Sequence, residues 1–296
     1  PAFAAAARDD YQAATEPVDF LKAPDMAVAR INRWVSERTG TRIPTLISRD
    51  AVNDRTRLVV TNAVYLLGHW AAPFNASTTS CQPFYRLSGD NRPVPLMAQK
   101  SRFRYLETSG FQAVDLPYKN DRLSMTVLLP KKRGDPPALE DQFTETRLSE
   151  WLVRLDAAEL QSVRLFLPKF QIAADYDLEG PLTFLGMGVA FSSQADLRGI
   201  AEADLRIAKV IHKAFLRVDE KGTEAAAATG VVVGTVSAPL VQPPVFRADH
   251  PFLVLIRDHQ TGSVLFMGRT IYDAPSTKPP PRTASNPGMP VGSIGS

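Results

Sequence analysis

The sequence has 296 residues, 44% of them hydrophobic, and a formal net charge of +3. That is enough apolar mass for one large domain or two small ones with a sizeable core. A single cysteine, Cys81, excludes an internal disulfide framework and a multi-cysteine metal site. No apolar run approaches the length of a membrane span. The positive charge is scattered rather than gathered for nucleic acid, and its densest cluster, Lys131-Lys132-Arg133, reads as a solvated loop.

Tyr11 to Phe20 alternates weakly and is expected as a strand. Pro24-Asp25 predicts a helix start with the aspartate as cap, and Gly40 its end. Val28, Ile31 and Val35, with Ala27 and Trp34, share one face opposite a row of arginines, so this helix lies on something apolar. Arg57 to Trp70 is nearly continuous in apolar and β-branched residues, as in a strand buried on both faces. Asn62 inside it is costly to bury without a hydrogen bond. Asn75-Ala76-Ser77 is a glycosylation sequon, a weak signal outside a secretory route.

Val94 to Met97, Phe103 to Tyr105, Ala113 to Tyr118 and Leu123 to Pro130 read as short antiparallel strands, with turn signals at Ser88-Gly89-Asp90 and Lys119-Asn120-Asp121. Pro137 to Ala158 has helical spacing, and Val163 to Ile172 is a strand containing Pro168-Lys169-Phe170. Gly186-x-Gly188 lacks the third glycine or the Gly-Lys-Ser/Thr that a phosphate loop needs. Leu205 to Val218 alternates as a strand and contains His212. Asp249 to Arg257 and Gly262 to Arg269 predict a hydrophobic hairpin. From about Ala274 the chain turns rich in Pro, Ser, Thr and Gly, and residues 274–296 are expected to be a disordered tail.

Asp219 to Ser237 differs from all of these. It begins charged, and from Ala225 to Ser237 it carries no charge. Ala225 to Ala228 favour a helix, whereas Val231 to Val233 favour a strand. No proline falls between Pro181 and Pro239, so every residue keeps its N–H for a ladder. Composition alone allows a linker, an edge strand or a segment suited to entering a sheet.

The order of residues narrows this. Glu220-Lys221-Gly222-Thr223-Glu224-Ala225-Ala226-Ala227-Ala228-Thr229 resembles the hinge of the reactive-centre loop of inhibitory serpins, the serine protease inhibitors. Asn62-Ala63-Val64-Tyr65 with Gly68-His69-Trp70 resembles the central strand of the large serpin sheet, and Phe266-Met267-Gly268-Arg269 its closing hairpin. Ala23 to Ile47 is similar to the helix that crosses the front of that sheet. The resemblance runs from roughly Tyr11 to Tyr272 and implies an α+β serpin fold over residues 1–273. A complete family domain has several helices and a strand ahead of this start, so the sequence is expected to be N-terminally truncated.

The same resemblance implies the functional residues. Glu220, Gly222, Thr223, Glu224, Ala225, Ala226, Ala227, Ala228 and Thr229 are the hinge. Trp70, Lys169 and Glu220 belong to the breach, where the loop enters the sheet, and Asn62 and His212 to the shutter, where the sheet parts. Because imidazole titrates near neutrality, acid is expected to loosen the shutter. Family spacing from Glu220 places the scissile bond at Val236–Ser237, with one residue of slack to Thr235 or Ser237. The implied action is suicide inhibition of a serine protease with a small apolar, elastase-like pocket, and the resemblance implies that this protein is extracellular. The protein itself is expected to be monomeric and prone to polymerise. A serpin-fold carrier or an inert fragment is the alternative. No acid/base pair, metal cluster or activated nucleophile stands at useful spacing, so neither an enzyme nor a cofactor is expected.

Overall fold

In the computed structural model, residues 2–133, 139, 141–201, 204–223 and 242–270 are described. The helices are α1 (Ala2–Tyr11), α2 (Pro24–Arg38), α3 (Glu145–Asp156) and the single turn α4 (Glu179–Leu182). The strands, in chain order, are β1 (Val59–Tyr65), β2 (Gly68–His69), β3 (Ser80–Tyr85), β4 (Asn91–Glu107), β5 (Phe111–Pro117), β6 (Leu123–Pro130), β7 (Leu160–Pro168), β8 (Phe170–Asp177), β9 (Lys209–Asp219), β10 (Gly222–Thr223), β11 (Val245–Arg247), β12 (Phe252–Asp258) and β13 (Val264–Thr270). None of these helices is long and apolar enough to cross a membrane.

Several local expectations are corrected. Tyr11 ends α1, and residues 12–19 form no strand. Pro17 among them has no N–H to offer a ladder. Pro24 is itself in the first turn of α2, so Asp25 does not cap the helix but pairs with Arg49 at 2.8 Å. The two short strands expected around Met97 and Phe103 are one strand of 17 residues, β4. The strand expected from Val163 to Ile172 is two, broken at Lys169, and its halves lie in different sheets. The Lys131-Lys132-Arg133 loop is tied down: Lys131 pairs with Glu107 at 2.8 Å, Arg133 with Asp249 at 3.0 Å, and the Arg133 guanidinium lies 3.7 Å from the Tyr85 ring centre.

Two sheets organise the chain. In the five-stranded sheet β1 runs parallel to β9 from Val59 opposite Lys209 to Tyr65 opposite Phe215, and β8 pairs with the other edge of β9. In the eight-stranded sheet the order is β11-β7-β4-β5-β6-β12-β13, with β3 against β4. Helix α2 and the turn after it lay Val28, Val35, Leu46 and Ile47 over Ala63, Ile211 and Phe215. Helix α3 sets Trp151 and Leu155 on Phe111, Leu128 and Leu255. The largest apolar cluster joins the two sheets, from Trp70, Phe170 and Val218 to Phe252 and Ile256. Strand β1 is not buried on both faces: Val60 is 40% exposed and Asn62 is open to solvent. One face lies under α2, whereas the side carrying Val64, His212 and Ala214 borders a cleft of about 510 Å³ against β13.

A polar hub sits in the eight-stranded sheet. Asp115 on β5 accepts hydrogen bonds from Ser124 (2.8 Å), Thr126 (2.6 Å) and the Arg257 guanidinium (3.1 Å). Burial pushes its carboxyl up, and the His259, Arg257, Thr126 and Ser124 contacts outweigh burial and hold it below the usual range. His259 Nε2 lies 2.8 Å from Ser124 Oγ and 3.6 Å from Asp115. The bond to Asp115 lifts the imidazole above its ordinary value of 6.5, against a smaller effect of burial. A raised histidine stabilises fully below its unfolded value and loses that contribution as pH rises through the folded one. The melting-temperature gap between the natural protein and His259→Gln is therefore expected to be widest near pH 6 and to shrink by pH 8–9. A gap independent of pH would contradict this role.

Candidate functional site

The site lies at the top of the five-stranded sheet, where β9 turns into β10. Asp219 closes β9, and its carboxylate accepts the Lys221 backbone N–H at 2.9 Å, which sharpens the turn. Gly222 and Thr223 then run back along Asp219 and Val218, and on their other side pair antiparallel with His69 and Gly68. The approach is close. A Cβ on Gly222, whose φ is +150°, would fall 1.9 Å from the Gly68 carbonyl oxygen, and one on Gly68 would fall 2.6 Å from the Tyr118 ring. Glycine is required at both positions.

Around this turn the expected breach residues come together. Trp70 is fully buried, its backbone N–H donates to Lys221 O (3.0 Å) and its indole N–H to Asp219 O (3.0 Å). The Lys169 ammonium sits 2.9 Å from Glu220, whose other carboxylate oxygen accepts the Thr79 hydroxyl at 2.9 Å. Burial pushes the Glu220 carboxyl up, but the bonds from Lys169, its own backbone and Thr79 hold it below the usual range. The Phe74 N–H donates to Glu220 O at 2.8 Å. Lys169 is available because the chain leaves the eight-stranded sheet at Pro168 and enters the five-stranded one at Phe170.

The two expected shutter residues also meet. Asn62 and His212 are direct partners in the β1–β9 ladder, and the Asn62 carbonyl oxygen lies 2.9 Å from His212 Nδ1. That satisfies the amide without burying it.

Tyr118 and Thr79 were not singled out from the sequence. The Tyr118 ring stacks on Trp70 at 4.8 Å and 14°, and its hydroxyl lies 2.6 Å from Thr223 Oγ1. Burial pushes the Tyr118 phenol up, with the Thr223 bond only partly offsetting it. Its one sequence signal was a tyrosine closing an apolar strand after Leu116-Pro117. Nothing local tied it to a threonine 105 residues on. Glu224, Ala225, Ala226, Ala227, Ala228 and Thr229, and the Val236–Ser237 pair, lie outside the described residues.

A family model for serpins, serine protease inhibitors, matches residues 1–272. The chain is a serpin. It is 41% identical over 276 residues to leukocyte elastase inhibitor of Bos taurus, across 91% of this chain and 72% of that protein. It is 40% identical over 262 residues to serpin B6 of Macaca fascicularis, across 88% and 69%. Among solved structures, uncleaved ovalbumin superposes with a TM-score of 0.83 at 31% identity, covering 92% of this serpin and 73% of that chain. Serpin48 of the insect Tenebrio molitor does so with 0.81 at 31% identity, covering 92% and 71%. The α+β serpin fold expected from the resemblance is the fold found; Asn62 and His212 lie in β1 and β9 of the five-stranded sheet, and Trp70, Lys169 and Glu220 in the connections that border it.

Proposed function

We propose that this serpin is a single-use inhibitor of a serine protease whose loop is cut as bait and then enters the five-stranded sheet. The observation that carries the reading is β10: Gly222 and Thr223 already hold the first rung between β9 and β2. Each β10–β9 pair has residue numbers totalling 441. Extended in that register, Ala226 would lie opposite Phe215, Thr229 opposite His212 and Val232 opposite Lys209. Residues 226–232 would thus face the seven β9 positions, Lys209 to Phe215, that β1 now occupies. Insertion therefore means parting β1 from β9, and the Asn62–His212 bond is broken on the way. Side chains alternate along a strand, so Ala225, Ala227 and Thr229 would follow the buried Thr223 inward and Glu224 would turn outward. Small inward residues and an outward charge suit that path.

The serine chemistry belongs to the protease, which forms an acyl-enzyme on the loop. Insertion must outrun its hydrolysis. Val236 before the scissile bond fits a small apolar primary pocket, and relatives named leukocyte elastase inhibitor support an elastase-like target. A trypsin-type pocket would leave its buried aspartate unanswered. These relatives lend the extracellular expectation no support, and the inhibitor reading does not depend on the compartment. Mixing the protein with an elastase-type protease and running a denaturing gel is the test. A band at the summed mass less the peptide beginning at Ser237, which cleavage releases, is expected. Clean cleavage without that band would favour the carrier or inert reading instead.

A further inference from the structure

The start of insertion has to be held somewhere, because a two-residue strand has little pairing of its own. Thr223 is fully buried, and its Oγ1 lies 2.6 Å from the Tyr118 hydroxyl. Tyr118 is itself fixed. Its ring is pinned between Trp70, stacked at 4.8 Å, and Gly68, which has no side chain to displace it. Its backbone N–H donates to Leu123 O at 2.9 Å, in the turn between β5 and β6. The phenol thus reaches from the eight-stranded sheet into the five-stranded one and ends on the hinge residue Thr223.

We propose that Tyr118 is a positioning residue for loop insertion: its hydroxyl holds the Thr223 side chain and thereby fixes the rung from which insertion starts. The role rests on the inhibitor reading, but the contact does not. A buried hydroxyl left without its partner costs free energy, so when either member of the pair is lost Thr223 leaves the sheet more often. After cleavage the loop then begins from an unseated rung, insertion starts later, and more acyl-enzyme is hydrolysed before trapping. Encounter between loop and protease involves neither side chain. The latch therefore acts on the partition between trapping and turnover, and not on the rate of attack.

The test uses Tyr118→Phe, which keeps the ring, its stacking and the core volume, together with Thr223→Val and the double variant. The first readout needs no protease: hydrogen–deuterium exchange of the peptide covering Lys221 to Thr223. Each single change is expected to speed exchange about fivefold, as loss of one net hydrogen bond implies. The double change should cost clearly less than the two together, since it leaves no unpaired hydroxyl. The second readout is the number of inhibitor molecules consumed per protease inactivated, expected to rise in Tyr118→Phe with the second-order rate of attack unchanged. Unchanged exchange in Tyr118→Phe, or strict additivity in the double variant, overturns the latch. So does a fall in the rate of attack with no change in inhibitor consumed. If exchange responds as expected but not even the natural protein traps protease, the latch holds Thr223 and the inhibitor reading is what fails.

Discussion

Arg257→Ala is expected to be among the most destabilising single changes in this protein, at about 3–5 kcal/mol, the cost of stripping one partner from a buried ion pair. The Arg257 side chain is 6% exposed and Asp115 is 5% exposed. From β12 the guanidinium donates Nε to Thr126 (2.8 Å), Nη2 to Asp115 (3.1 Å), and both terminal nitrogens to Asp156 at the end of α3 (2.8 and 3.0 Å). One side chain therefore ties β5, β6, β12 and α3. Its removal leaves the Asp115 carboxylate buried on two hydroxyls and the partly exposed His259. For a domain of this size the loss corresponds to roughly 10 °C in melting temperature, readable by circular dichroism at pH 7. Arg257→Lys should fall between, since an ammonium keeps the charge but loses the planar fork that reaches two carboxylates. A loss for Arg257→Ala under about 1 kcal/mol would place the pair with ordinary surface bridges and remove the hub from the account of stability.

The contrast between that hub and the breach explains what the sequence made legible. The stretch that resembles a hinge is ten consecutive residues, so its order could be read directly. The α2 face was equally readable because Ala27, Val28 and Val35 repeat at helical spacing. Strand β4 was split in two because Lys100, Arg102 and Arg104 alternate with Phe103 and Tyr105. Polar residues on an outward face look like a gap to a search for apolar runs. Strand β3 was missed because Pro83 interrupts it, yet it only edges β4, where a missing N–H is tolerated. Asp115 lies in an apolar strand, but its partner Arg257 is 142 residues away, and nothing short of strand register links them. The same distance hid Tyr118. What the sequence conceals is side-chain pairing across strands, and the Asn62–His212 and Lys169–Glu220 pairs escaped only because a family resemblance supplied them.

Glu220→Lys is expected to open the top of the sheet and to yield polymers on warming. Glu220 is 14% exposed and Lys169 37%, so the 2.9 Å pair lies between a surface and a buried bridge. Loss of it is worth about 2 kcal/mol on that footing. Reversal adds repulsion between two ammonium groups, nominally about 4 kcal/mol at 4 Å with a dielectric near 20, part of which Lys169 escapes by turning to solvent. It also removes the acceptor of the Thr79 hydroxyl. The damage is concentrated on the turn that seats Gly222 and Thr223, while the β1–β9 ladder below is left without its closing rung. Once β1 and β9 part, each offers unpaired N–H and C=O groups, and another molecule's loop segment can pair there as readily as the protein's own. Incubation at about 45 °C followed by a native gel should show a ladder for Glu220→Lys and a single band for the natural protein. Purely monomeric Glu220→Lys would sink the prediction. The swapped variant, Lys169→Glu with Glu220→Lys, decides the cause. If it returns to a single band, the charge pair is what closes the breach. If it still forms the ladder, closure depends on the Thr79 bond and the shape of the glutamate, with the lysine incidental.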